Sequence, residues 1–270
     1  MSDDKIINEY ETNTERIQVI DRPIKFVKNS FIDSETIFYQ KQLGVNYSRV
    51  EVQLQKGGIT VETGTFTSSI GDIRFERLNL GVGSMVSGIL NRSRGDEFFK
   101  QQLSGTGKIW LKDTTSYLIV IPLRGETITL EKGLFYAGVG NLKYSVSSDV
   151  RASNIVWSGG RNLFNTTVSG TGYVILESPV HQDDLIRLDV SQRVSALVDD
   201  ELVLYRFGNI KRTSQLSGGV LTSMLNKEGV VDEYRGQGYI CVAPTLNSQT
   251  YLGENIHNHL TKDTEKDSPN

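Results

Sequence analysis

A few groups in this 270-residue chain have the residue types that chemistry needs. His257-Asn258-His259 would set two imidazoles on one side of a strand, half of a zinc site. A complete site needs further ligands, so the pair reads as part of a solvated polar tail. Asp183-Asp184 and Asp199-Asp200-Glu201 are carboxylate clusters of the kind that does acid/base work or holds calcium. Neighbours on a strand point to opposite faces, however, so these clusters read as turn residues. Cys241 sits inside an apolar run beside no obvious base, which makes it a buried, inert thiol. Gly81-Val82-Gly83-Ser84-Met85-Val86-Ser87-Gly88 is rich in glycine, but it lacks the Lys-Ser/Thr pair of a phosphate loop. No Gly-x-Ser-x-Gly elbow occurs. The sequence thus assembles no catalytic, cofactor-binding or metal-ligating set, and the expectation is a protein that is not an enzyme.

Arg92 and Arg94 lie close together, as do Lys211, Arg212 and Lys227. A nucleic-acid binder would need such residues on one face, but the net charge is −3 and the cations are scattered, so nucleic-acid binding is not expected. Hydrophobic residues make up 37% and charged residues 23%, the balance of an ordinary globular chain. With Cys241 the only cysteine, an intrachain disulfide is excluded. The start, Met1 to Lys5, carries no apolar signal region, and the longest apolar stretch, Tyr117 to Leu123, falls far short of the ~20 residues that span a bilayer. A cytoplasmic protein without a membrane span is therefore expected.

The elements that must position these residues are strands. Val50, Val52 and Leu54 alternate with Glu51, Gln53 and Gln55, the period of a half-buried strand. Tyr117 to Leu123, Tyr173 to Leu176, Leu202 to Phe207 and Tyr239 to Ala243 are short runs rich in β-branched and aromatic residues, which read as buried strands. Turns are expected at Lys56-Gly57-Gly58, Arg124-Gly125-Glu126 and Glu131-Lys132-Gly133. Residues 1–16 and 261–270 read as frayed polar tails, and residues 17–37 as an addition that holds an edge strand.

Self-similarity organises the middle. Ser104-Gly105-Thr106-Gly107 and the strand Lys108 to Leu111 recur as Ser169-Gly170-Thr171-Gly172 and Tyr173 to Leu176. A third copy is Arg235-Gly236-Gln237-Gly238 followed by Tyr239 to Val242. Gly107 and Gly172 lie 65 residues apart, and Gly172 and Gly238 lie 66 apart. An upstream element is shared by Val61 to Phe66 and Leu130 to Phe135, with Asp189 to Val194 as its third version. The pattern predicts an all-β fold of three tandem β-sandwich units of about 65 residues with pseudo-threefold symmetry. The units would span 38–114, 115–180 and 181–245, after a partly disordered extension 1–37 and before a polar tail 246–270. Gly105, Gly107, Gly170, Gly172, Gly236 and Gly238 would form structural turns feeding apolar strands.

Two segments interrupt the strand pattern. Val86, Ile89 and Leu90 form one apolar stripe at helical spacing, and Leu221, Met224 and Leu225 form another. One or two helical turns cannot hold themselves together in water, so these six residues are the expected partner contacts.

The run Gly81-Val82-Gly83 through Leu90, Gly95-Asp96-Glu97-Phe98-Phe99 and Ser104 to Leu111 resembles a known family. So does Glu228-Gly229-Val230-Val231, Tyr234, Gly236-Gln237-Gly238 and Tyr239 to Val242, although Gln237 stands where the family commonly has proline. The family is the one named after altered inheritance of mitochondria protein twenty-four, a mitochondrial biogenesis family with a fold like the tryptophan RNA-binding attenuation protein. The chain resembles a bacterial member over about residues 38–245. The resemblance implies three β-rich units in a row, allows a homo-oligomer such as a trimer, and carries no catalytic residue and no cofactor. The functional expectation is a non-enzymatic structural or interaction protein, with a small-ligand or RNA-binding regulator as the alternative by fold analogy.

Overall fold

Val50, Val52 and Leu54 are fully buried, as their alternation requires, but the strand they belong to runs on past the expected turn. The computed structural model describes residues 4–24, 31–80, 99–147, 165–199, 202–216 and 230–244. In chain order the elements are β1 (Lys5–Glu11), β2 (Glu15–Pro23), α1 (Phe31–Gln42), β3 (Asn46–Glu62), β4 (Phe66–Asn79), β5 (Phe99–Leu111), β6 (Tyr117–Leu130), β7 (Phe135–Ser147), β8 (Asn165–Ser178), β9 (Ile186–Val190), β10 (Ala196–Asp199), β11 (Val203–Leu216) and β12 (Val230–Val242). The fold is all-β, and the described strands join one antiparallel sheet rather than separate sandwiches. No described helix is long and apolar enough to cross a membrane.

Three long hairpins dominate the sheet: β4–β5, β7–β8 and β11–β12. Each crosses at a pair of directly opposed glycines, Gly71 with Gly107, Gly140 with Gly172, and Gly208 with Gly238. The reason for glycine is steric. A Cβ on Gly172 would lie 2.1 Å from the Val139 carbonyl oxygen, and no neighbouring backbone can withdraw. The Gly-x-Gly signatures therefore sit inside strands and not at turns. What they supply is close backbone approach at φ values a side chain disfavours, +124° at Gly170 and +154° at Gly172. All three hairpins also carry a bulge at the same distance from the crossing, at Thr67, Tyr136 and Leu204.

A third strand flanks each hairpin, β3 beside β5 and β6 beside β8. Lys56-Gly57-Gly58 and Arg124-Gly125-Glu126 are bulges in these strands, where turns were expected. A bulge bends its strand, so the second half of each, still paired with its own hairpin, meets the next hairpin along its other edge. Val61 pairs with Ala137 of β7, and Leu130 with Tyr205 of β11. Beside β12 the flanking strand is broken completely into β9 and β10. Val198 faces Asp232, six residues before Gly238, just as Val61 faces Gln101 and Leu130 faces Thr166. The counterpart of Val61 and Leu130 is therefore Val198, and the segment Asp189 to Val194 is not.

Two core clusters join neighbouring hairpins. One packs Val50, Leu54 and Ile59 with Val139 and Ile175, and the other packs Ile128 and Leu130 with Val174, Tyr205 and Cys241. After Gly172 and Gly238 the strand ends are buried on both faces, as at Val174, Ile175 and Leu176, whereas after Gly107 the buried Ile109 and Leu111 alternate with the half-buried Lys108 and Trp110. Of the segment 1–16, residues 4–16 are described, and they do not form a frayed tail. They hold β1 and the start of β2, and Arg16 and Gln18 of β2 bind Glu9 of β1 at 2.8 Å and 2.6 Å. Their polar composition is that of an exposed edge strand, which periodicity cannot separate from a tail. Helix α1 was not foreseen either. It ends where Val45 N–H donates to the Gln40 carbonyl and Gly44 N–H to Lys41, with Gly44 at φ +71°.

The crossing makes a direct prediction. Gly172→Ala should cost about 3 kcal/mol, since strain at the site and backbone overlap add. Gly125→Ala, also at positive φ but with nothing within 4 Å of its Cβ, should cost only about 1 kcal/mol. Thermal melts of the two variants check this, with a clearly larger drop for the first.

Candidate functional site

Most ionisable side chains of a strand protein stay at its surface, because burying a charge costs several kcal/mol unless it is paired. Where β6 meets β11, four charged side chains do go inside. Arg206 stands opposite Thr129 of β6, and its residue is 3% exposed. Arg212 lies further along β11, with its side chain 7% exposed. Glu131 follows the last residue of β6, held by its own N–H donating to the Leu204 carbonyl at 3.0 Å. Asp232 enters from β12 and is fully buried.

The charges balance. Arg212 Nε pairs with Asp232 Oδ2, and its Nη1 lies 3.7 Å from Glu131 Oε2. Asn165, the first residue of β8, ties the rest together. Oriented so that both its amide atoms are satisfied, it donates to Glu131 Oε2 at 2.9 Å and accepts from Arg206 Nη2 at 3.0 Å. One network thus links the ends of β6 and β8 with β11 and β12. Tyr234 beside it is fully buried, and its hydroxyl has no hydrogen-bond partner. Burial, then the charge of Glu131, pushes that hydroxyl far above the ordinary tyrosine range.

The junction of β3 with β7 is built differently. At the positions of Arg206 and Arg212, counted from the glycine crossing, β7 has Gly138 and Tyr144. The Tyr144 hydroxyl is held in its neutral form by burial, with Thr60 as its hydrogen-bond partner. Glu62 occupies the place of Glu131 and pairs with Lys100, which is 3% exposed and lies 5.2 Å from the Phe135 ring centroid. The guanidinium-rich network is thus specific to one junction. Its acids and bases face one another, so their chemistry is to fix which strands meet.

The residues singled out in the sequence divide sharply. Val86, Ile89 and Leu90 lie within 81–98, and Leu221, Met224 and Leu225 within 217–229, outside the described residues. Their attachment points are described. Asn79 faces Phe99 and Leu216 faces Val230, so both segments leave the same end of their hairpins. Residues 148–164 leave the corresponding end of β7–β8, where Ser147 faces Asn165, and this segment contains Ile155, Val156 and Trp157. Sequence reading missed it because it lacks the helical spacing of the other two. His257 and His259 also lie outside the described residues. Asp183 and Asp184 do form a turn, a short 3-10 segment capped by His181, whose Nδ1 accepts from Asp183 N–H at 3.2 Å. Cys241 is 5% exposed, and burial pushes its thiol up, away from the reactive thiolate. Arg92, Arg94 and Lys227 are not described, Lys211 is exposed, and Arg212 is withdrawn into the ion network.

The family model described as mitochondrial biogenesis AIM24 matches residues 39–245. A crystal structure of a Streptococcus pyogenes protein superposes with a TM-score of 0.54 at 21% identity, covering 78% of this chain and 94% of the other. That likeness concerns the fold alone. No curated protein matches the chain.

Two measurements follow from the network. Asp232→Ala should destabilise by about 3–5 kcal/mol, because it leaves a buried guanidinium short of a partner, whereas Tyr234→Phe should be neutral or stabilise by about 1 kcal/mol. Chemical denaturation of both variants reads the contrast. Tyr136, Tyr144, Tyr205 and Tyr234 are all held neutral by burial. Above the ordinary tyrosine value of 10.0 the unfolded chain loses these protons while the folded chain keeps them. Stability should therefore be complete below pH 10 and fall as pH rises, by up to about 1.4 kcal/mol per pH unit for each tyrosine. Phenolate absorbance should rise together with unfolding.

Proposed function

The chain belongs to the mitochondrial biogenesis AIM24 family, and from that premise we propose that it is a non-enzymatic assembly protein whose β body presents contact segments to partners. The observation that carries this reading is the buried network of Glu131, Asn165, Arg206, Arg212 and Asp232. Its members bind one another and hold four strands in one register, which is the work of a frame.

Within the same proposal, the body is three tandem β units arranged like the tryptophan RNA-binding attenuation protein, with boundaries near 114 and 180. Support comes from the shared register of the glycine crossings and bulges. Three segments leave equivalent hairpin ends, and two of them carry the apolar stripes Val86, Ile89, Leu90 and Leu221, Met224, Leu225. A frame that repeats one attachment point and places apolar residues beyond it suits multivalent contact. The alternative, an RNA or small-ligand regulator, would want Lys211 and Arg212 on one basic face. The pairing of Arg212 with Asp232 favours the assembly reading.

Ile89→Asp and Met224→Asp test this. Both variants should melt at the wild-type temperature yet lose partner recovery, or fall from a heavier species to the 30.1 kDa chain in solution. Folded variants with unchanged mass and unchanged partner recovery would refute the contact role.

A further inference from the structure

The junctions between hairpins follow one rule. The three residues before the crossing glycine of a hairpin pair with three residues of a bent flanking strand. In the first junction Val139, Gly138 and Ala137 pair with Ile59, Thr60 and Val61. In the second, Phe207, Arg206 and Tyr205 pair with Ile128, Thr129 and Leu130. Applied once more, the rule names a third pair of triplets. Ile70, Ser69 and Ser68 precede Gly71 in β4. Ala196, Leu197 and Val198 of β10 stand opposite Tyr234, Glu233 and Asp232, which is where Ile59, Thr60 and Val61 stand along β5.

These two triplets are not paired with each other in the chain. Among the described residues β4 pairs only with β5, and β10 only with β12. Exposure tells the same story. Thr60 is 4% exposed, whereas its counterpart Leu197 is 65% exposed. Val139 is 1% exposed, whereas its counterpart Ile70 is 67% exposed. Among the described residues, no core cluster joins β10 to β4.

Edge strands are normally guarded by charge. Here the rest of β4 is guarded, by Asp72, Arg74, Glu76 and Arg77, and β1 carries Lys5, Glu9 and Glu11. Ser68-Ser69-Ile70 and Ala196-Leu197-Val198 carry no charge at all. The uncharged stretches 66–71 of β4 and 196–198 of β10 contain the triplets that the rule selects, while the uncharged Ile6-Ile7-Asn8 of β1 has no place in the rule.

We propose that β10 of one copy pairs with β4 of a second copy of this chain, in the register Ala196 to Ile70, Leu197 to Ser69 and Val198 to Ser68. A second copy is the occupant because it alone brings the complementary edge in the geometry already used twice inside each chain. The contact is head to tail, so copies close into a ring or a reciprocal pair when the rotation allows. This inference deepens the assembly reading above and adds the partner and the register.

Cysteine cross-linking tests it. Directly opposed residues of an antiparallel pair lie within disulfide reach. Ser69→Cys and Leu197→Cys are made in separate full-length chains, mixed and mildly oxidised. The mixture should give a reducible species of twice the 30.1 kDa chain, while the wild type, whose Cys241 is buried, gives none. Glu76→Cys, on the same edge but out of register, should link to Leu197→Cys at least tenfold less. The proposal is overturned if the mixture stays at the single-chain mass, if Glu76→Cys links equally well, or if a Ser69→Cys/Leu197→Cys double variant closes within its own chain. Should linking fail while the wild type is heavier than one chain in solution, the assembly reading stands and only this edge is wrong. Should linking fail with the wild type at one chain mass, self-assembly falls altogether, and the contact reading is then decided by the partner recovery of Ile89→Asp and Met224→Asp.

Discussion

The close crossing of two backbones at opposed glycines is the constraint on which the rest of the molecule depends. At Gly172 and Gly238 a carbonyl oxygen of the partner strand occupies the space a Cβ would need, at 2.1 Å and 1.9 Å. Strands that approach so closely twist steeply, and the chain beyond the crossing is directed into the core. Val174 to Leu176 and Ile240 to Ala243 are buried on both faces, and Ile109 and Leu111 after Gly107 are buried on one. The bulges at Thr67, Tyr136 and Leu204 follow at fixed distance, so the crossing and the bend act as one device.

From that device comes the way neighbouring hairpins join. A flanking strand bent at Gly57 or Gly125 stays paired with its own hairpin and offers its free edge, over three residues, to the next. Three ladder positions are few, and each junction is reinforced by other means. The first adds apolar packing and a pair of buried Lys100 with half-buried Glu62, and the second a balanced network of two arginines and two acids. Such a network stabilises little compared with apolar packing of the same volume, but it penalises any register that strands one of its charges. Its position at one junction only would keep β11 from docking on β3 in place of β6. In the proposed assembly the third junction has no charge to direct it and relies on shape and on the guarded edges around it.

Much of this was legible in the residues. The Gly-x-Gly copies, their spacing of 65 and 66 residues, and the apolar strands after them pick out β5, β8 and β12, the second strands of the three hairpins. Their meaning was harder to read, because a glycine signals either a turn or a close approach and sequence alone does not separate the two. Lys56-Gly57-Gly58 was misread as a turn on the same ambiguity. The third flanking strand escaped because its glycine is lost and the strand is broken into β9 and β10, so Asp189 to Val194 reads as the third version where the register selects Val198. Residues 5–11 were hidden by their polarity, since an edge strand exposes nearly every side chain. The ion network had no local signal. Glu131, Arg206 and Asp232 are far apart in sequence, and only the register of β6, β11 and β12 brings them together.

Native-state amide hydrogen exchange, on protein dilute enough to stand as single copies, tests the central claim most directly. The claim is that three-residue ladders at bent strands fasten hairpin to hairpin. If so, the amides of Ile59 to Val61 and Ile128 to Leu130 exchange as slowly as the hairpin centres, because both edges of those segments are bonded, while those amides of Ser68 to Ile70 that point away from β5 exchange quickly. Equally fast exchange at all three places, with the hairpins themselves still protected, would contradict the account.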